Sequence, residues 1–195
     1  MKFDDLIRLL RGQEHTCPPW ACFTFDNYFR KIFQAPFKIL AGHAGPGNTV
    51  LDLGPGYGYY TFPLSEIVGA RGLVCAADIQ KNMLDAIRNK AEKLGIKNIR
   101  YILIKKGTID TPDRFDFILM FWMFHEVSDK SGYLAQLKKL LKENGRILLA
   151  EPIFHVTGKS FNKEEEELMK AGFEICGRPG IAFSRAVLLR DRKDG

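Results

Sequence analysis

The chain has 195 residues, a formal net charge of +6 and a pI near 9.1, with 46% hydrophobic and 27% charged residues. That length and balance fit one soluble domain with a core of its own, and the four cysteines make no disulfide framework at this size. Lys and Arg interrupt every apolar run before it reaches membrane-spanning length, and the acidic start Met1-Lys2-Phe3-Asp4-Asp5 lacks the form of a secretory leader, so a cytoplasmic protein is expected.

Phe3, Leu6, Ile7 and Leu10 fall on one helical face, and "TCPPWAC" then breaks that short helix. Cys17 and Cys22 have the spacing of half a metal site, but no His/Cys pair stands nearby to complete it. The other reading is a turn with packed thiols, and no metal is expected. Residues 29–40 read as a second helical piece broken at Pro36, and "AGHAGPGN" as a loop. Residues 1–40 thus form a helical segment ahead of the core, suited either to a lid or to covering one sheet face.

From Thr49 a regular alternation begins. Strands are predicted over 50–53, 73–77, 99–104, 115–121, 146–150, 173–176 and 186–189. Helices are predicted over 59–68, over 83–94 with Gly95 as C-terminal cap, and over 133–141. A further helix is capped by Asn162, with Glu165 three positions on, and stopped by Gly172. Cys75 and Cys176 sit in strand-like apolar runs and read as buried thiols. Strands alternating with helices give a doubly wound α/β fold, with a mostly parallel sheet covered on both faces.

In such folds ligands bind beyond the carboxyl ends of the strands, where strand order reverses. "VLDLGPGYGYYTF" lies there, with Asp52 just before Gly54, Gly56 and Gly58. Glycine admits positive φ and close approach of a ligand to the main chain. A tight turn alone would also explain three glycines. Asp78, closing the second strand, can accept both hydroxyls of a ribose, so loop and acid together point to an adenosine-containing cofactor. The nicotinamide fingerprint needs G-x-G-x-x-G, but here its third glycine is Tyr59. Tyr57, Tyr59 and Tyr60 would crowd a pyrophosphate and suit an uncharged linkage near a sulfonium.

These residues resemble the class I S-adenosylmethionine-dependent methyltransferases, over about residues 39–189. "VLDLGPGYG" is similar to the family's first motif and "VCAADIQKNML" to its second. "FDFILMFWMFHEV" with "LKKLLKENGRILLAEP" is similar to its fourth and fifth strands and the helix between them. The resemblance implies a Rossmann-like seven-stranded sheet whose last strand is antiparallel, and S-adenosylmethionine as cofactor. It implies that Gly54, Gly56 and Gly58, with Asp52, Tyr57 and Tyr59, cradle the methionine part while Thr61 reaches its carboxylate. It further implies Asp78 on the ribose, Ile79 on adenine, and the backbone near Phe121 on the amino group. Many members carry an acid after the third strand for the adenine amino group. This chain has Lys105-Lys106-Gly107-Thr108 instead, so backbone groups near Lys106 and Gly107 are expected to serve.

On the acceptor side His125, Glu126 and Glu151 are the candidate bases. His125 titrates near neutrality at the expected pocket mouth, and ordering the loop is its structural alternative. Glu126 has Arg185 as an alternative partner, Glu151 has the anchoring of Pro152 and its loop, and Trp122 and Phe124 are candidate pocket walls. "FWMFHE" stands where base-amine methyltransferases carry an acid- or Asn-Pro-Pro-aromatic run, and no Pro-Cys nucleophile lies there. A small acceptor is therefore expected rather than nucleic acid. Methylation of RNA or protein, a binding protein without catalysis, and a nicotinamide oxidoreductase are the alternatives.

Overall fold

The computed structural model describes residues 34–192. The expected helix over 3–10, the Cys17–Cys22 turn and the helical stretch before residue 34 lie outside them. Seven strands form one sheet: β1 (Thr49–Leu53), β2 (Leu73–Asp78), β3 (Ile99–Leu103), β4 (Phe115–Phe121), β5 (Leu141–Pro152), β6 (Phe173–Gly177) and β7 (Ser184–Asp191). Their order is β3-β2-β1-β4-β5-β7-β6, and β7 runs antiparallel to both its neighbours. The expected Rossmann-like sheet, antiparallel last strand included, is present. Its order reverses between β1 and β4, which pair in parallel at the centre.

The helices are α1 (Pro36–Leu40), α2 (Thr61–Val68), α3 (Lys81–Lys93), α4 (Lys130–Leu140) and α5 (Gly158–Lys170). Successive strand residues face opposite sides. Along β4, Phe117 and Leu119 join a cluster with Leu64 and Val68 of α2, while Ile118 and Met120 join one with Leu134 and Leu137 of α4 and Leu168 of α5. Each fully buried Leu, Ile or Phe contributes about 1.5–3 kcal/mol. Burial on both faces is why the central strands read as unbroken apolar runs. Cys75 is buried, and Cys176 is half-buried with its thiol toward the Leu188 carbonyl.

Several boundaries differ from expectation for local reasons. Pro36 begins α1 instead of breaking a helix, since its missing N–H costs nothing in a first turn. α2 starts at Thr61, because the loop before it holds the backbone through Gly58. α4 starts earlier, at Lys130, where the Asp129 carboxylate accepts from the Gly132 amide (2.9 Å). α5 is capped by Thr157, whose hydroxyl accepts from the Ser160 amide (3.2 Å); Asn162 lies inside the helix. Leu94 is exposed beyond the end of α3. β5 begins at Leu141, with residues 142–145 bulging between the Phe115–Leu141 and Phe117–Arg146 pairings.

Candidate active site

Gly54, Gly56 and Gly58 take φ of +64°, +55° and +85°, a region that strains other residues. They differ in what surrounds them. A Cβ on Gly54 would meet Met123 at 2.9 Å, and one on Gly58 would meet the Phe62 ring at 2.7 Å. A Cβ on Gly56 would meet nothing within 4 Å. Gly54 and Gly58 therefore serve packing, and Gly56 is the crest open to a ligand. Behind the loop, Asp52 is buried and accepts from the Thr61 hydroxyl (2.6 Å), itself fully buried. The expectation that Thr61 reaches a ligand carboxylate is thus overturned: its proton ties β1 to the start of α2. Tyr59 donates to the Gln34 carbonyl (3.1 Å), Tyr57 is half-buried, and the Tyr60 ring lies 4.4 Å from that of Phe121 at the end of β4.

Asp78 ends β2 almost wholly buried, with one oxygen accepting from the Gln80 amide (2.8 Å). Burial pushes its carboxyl up to about 6, and the Gln80 and Ile79 amides pull partly the other way. The Ile79 side chain beside it is 55% exposed, an apolar surface at the strand end. After β3, Lys106 (φ +51°) and Gly107 (φ +73°) make a tight turn closed from the Thr108 amide to the Lys105 carbonyl (3.0 Å). Gln136 of α4 clamps this turn, donating to the Gly107 carbonyl (2.9 Å) and accepting from the Ile109 amide (3.1 Å). Sequence reasoning missed Gln136, because one glutamine on a helix reads as solvent-facing.

Across the switch point, residues Phe124–Glu126 form a single 3₁₀ turn. Glu151, fully buried at the end of β5, accepts from the amides of Phe124 (2.8 Å) and His125 (3.3 Å) through one oxygen. Its other oxygen hydrogen-bonds Nδ1 of the His125 ring. Glu151 therefore anchors the turn after β4, not the Pro152 loop. Burial alone would lower the His125 pKa, but Glu151, joined by Glu126 and Glu164, outweighs it and raises it above the ordinary value. Nε2 of His125 lies 4.0 Å from Glu126, and its side chain keeps 24% exposure beside a groove of about 610 Å³ between α4 and α5.

Behind this pair Lys130 binds Glu164 of α5 (2.7 Å) and sits 4.9 Å over the Phe124 ring. Glu164 opens a run of four glutamates, which in sequence looks like a solvated face, yet it is 4% exposed. Phe124 is fully buried and so belongs to the core rather than to a pocket wall. Trp122 is half-buried, donating from Nε1 to the Ser184 hydroxyl (2.8 Å). Arg185 donates to the Val156 carbonyl (3.1 Å) rather than to Glu126.

The structure thus gathers Asp52, the three glycines, Tyr57, Tyr59, Asp78, Ile79, Lys106, Gly107 and Phe121 at the carboxyl ends of β1 to β4, with His125 just beyond. A glycine loop and an acid at a switch point are the construction of a nucleoside-cofactor enzyme. Residues 44–178 match the family described as "Methyltransferase domain". The chain belongs to that family, among the class I S-adenosylmethionine-dependent methyltransferases.

Among solved structures, a SAM-dependent methyltransferase from Aquifex aeolicus is 28% identical, with a TM-score of 0.81 over 89% of this chain and 98% of that one. The ubiquinone/menaquinone biosynthesis C-methyltransferase UbiE of Vibrio vulnificus is 33% identical over 93% of this chain, and that of Shewanella piezotolerans 33% over 80%. The chain spans 66% and 59% of the lengths of these two relatives. No helix among the described residues is long and apolar enough to cross a membrane.

S-adenosylmethionine is the family's cofactor, and the residues present fit it. The Gly56 crest has room that a side chain would fill, and Asp78 holds an acceptor oxygen at the strand end beside the exposed Ile79.

Proposed function

We propose that the chain transfers a methyl group from S-adenosylmethionine to a small acceptor that must lose a proton to react, with His125 as the base. Gly54, Gly56 and Gly58, with Tyr57, Tyr59 and the Asp52-supported backbone, hold the methionine end. Asp78, Ile79, Lys106 and Gly107 hold the adenosine, and the backbone at Phe121 takes the amino group. When bound, S-adenosylmethionine supplies an electrophilic methyl whose departure leaves a neutral thioether. The chain's own work is alignment, exclusion of water and disposal of the acceptor's proton.

The observation that carries this reading is the buried Glu151. It fixes the His125 ring through Nδ1 and the turn below it through two amides, leaving Nε2 to meet the acceptor. A carboxylate-held imidazole takes a proton more readily than a free one. A ring carbon beside a hydroxyl becomes nucleophilic when that hydroxyl is deprotonated, so the C-methyltransferase names of the relatives favour a phenolic or quinol-like acceptor. Of the segment over residues 1–40, α1 covers one sheet face, with Leu40 buried in the cluster of Val50 and Phe117. The buried free thiol of Cys75 suits a reducing cytoplasm.

Incubation with methyl-labelled S-adenosylmethionine and a panel of small hydroquinones, phenols, RNA and protein tests it. Label on a small ring compound, lost in His125→Ala, is the expected result; label found only on RNA or protein would replace the small-acceptor reading.

A further inference from the structure

We infer that Gln136 of α4 is a positioning residue for the adenosine end of the cofactor. It holds the turn after β3 in the shape that presents backbone amides to adenine. The inference rests on the cofactor reading above and adds a residue that no sequence motif marks.

The turn leaves the sheet beside the acid expected on the ribose. Asp78 pairs with Leu103 across β2 and β3, and the Ile104 amide donates to the Asp78 carbonyl (2.9 Å). Residues 105–108 follow at once, and all four are exposed. The closing bond of the turn occupies the Lys105 carbonyl, and Gln136 occupies the Gly107 carbonyl. The amides of Lys106 and Gly107 donate to nothing among the described residues. Such an N–H suits a ring nitrogen of adenine, which accepts, and residues 105–108 include no acid to grip the base instead.

This turn needs help to keep its shape. Lys106 takes φ of +51°, a left-handed conformation that strains a residue with a side chain, and an exposed turn has little packing to enforce it. Gln136 supplies the constraint from a helix. Its amide group donates to the Gly107 carbonyl (2.9 Å) and accepts from the Ile109 amide (3.1 Å). Ile109 is buried in the cluster of Leu134 and Leu137, so the clamp runs from an anchored residue to the exposed crest. The structural alternative is a tie that fastens α4 to the sheet. Tyr133, Leu134 and Leu137 already bury that helix in the core, so the clamp adds order to the turn rather than attachment to the helix. A mere connection needs no such order, whereas a binding surface gains affinity from it.

The test is Gln136→Met in the full chain, which keeps the reach of the side chain and removes both hydrogen bonds. Thermal unfolding of the free protein is compared with calorimetric titrations of S-adenosylhomocysteine and of adenosine. The expected result is a melting temperature lowered by no more than about 2–4 °C, with both ligands weakened by about 3- to 10-fold. Adding Lys106→Gly, which favours the left-handed shape without the clamp, should recover part of both affinities. An unchanged affinity for either ligand in Gln136→Met would overturn the inference. So would a double variant that binds no better than Gln136→Met, because the shape of the turn would then not be what Gln136 supplies. A larger fall in melting temperature would also overturn it, making Gln136 a tie of the fold. Failure of the wild type to bind S-adenosylhomocysteine would instead remove the cofactor reading itself.

Discussion

The two sides of the switch point are built by different means. On the β1–β2 side the site is mostly backbone: three glycines in one loop, one acid at the neighbouring strand end, and the Asp52–Thr61 bond between residues only 9 apart. On the β4–β5 side it is a charged network drawn from distant positions. His125 and Glu151 are 26 residues apart, and Lys130 and Glu164 are 34 apart. A site made of backbone geometry can carry an invariant cofactor while the other side varies with the acceptor.

If that division is right, the sharpest break comes at His125. His125→Ala is expected to lower turnover by about 10²–10⁴, the usual share of a general base, while S-adenosylhomocysteine affinity stays unchanged. The pH profile of the wild type should rise through a pKa above the ordinary histidine value, because the base must be neutral to act. A joint fall in melting temperature and cofactor affinity would show His125 to be structural.

Glu151→Ala should come next. It leaves the Phe124 and His125 amides without their acceptor, and is expected to cost about 2–4 kcal/mol in denaturant unfolding as well as turnover. Glu151→Gln, which keeps an acceptor oxygen for the amides, should recover most of the stability and little of the activity.

On the other side, Asp78→Ala should weaken S-adenosylhomocysteine by about 1–3 kcal/mol and leave the fold intact. The carboxyl of Asp78 is raised in the folded chain to about 6. Its contribution to stability is therefore present below its unfolded value and lost as pH rises toward 6, a change of about 3 kcal/mol. Asp78→Asn should remove that component from unfolding measured across pH 4 to 6. In wild type, cofactor affinity should fall below about pH 6 as the ribose acceptor is neutralised.

The smallest contrast lies within the glycine loop. Gly56→Ala and Gly58→Ala both incur a left-handed strain of about 1–2 kcal/mol. Only Gly58→Ala adds a clash with Phe62, so it should unfold at the lower denaturant concentration. Gly56→Ala should show a loss of S-adenosylhomocysteine affinity larger than its loss of stability.

The same contrast explains what the sequence made legible. Positive φ favours glycine, so the loop after β1 is visible as letters, and Asp78 is visible because it closes an apolar run. Parallel pairing buries both faces, so β1, β2 and β4 stand out with nearly correct ends. His125 is visible as a lone histidine after a strand, but its orienting carboxylate is not, because nothing local couples residues 125 and 151. Glu164 hides in an acidic run, and Gln136 looks like an ordinary helix residue. Caps were misplaced where a side chain outside the periodic run, Asp129 or Thr157, supplied the acceptor.

Calorimetric titration of the wild type, His125→Ala and Asp78→Ala with S-adenosylhomocysteine and with NAD tests the central claim most directly. The account predicts that wild type and His125→Ala bind S-adenosylhomocysteine alike, that Asp78→Ala binds it weakly, and that none binds NAD. Binding of NAD by the wild type, with no affinity for S-adenosylhomocysteine, would contradict it.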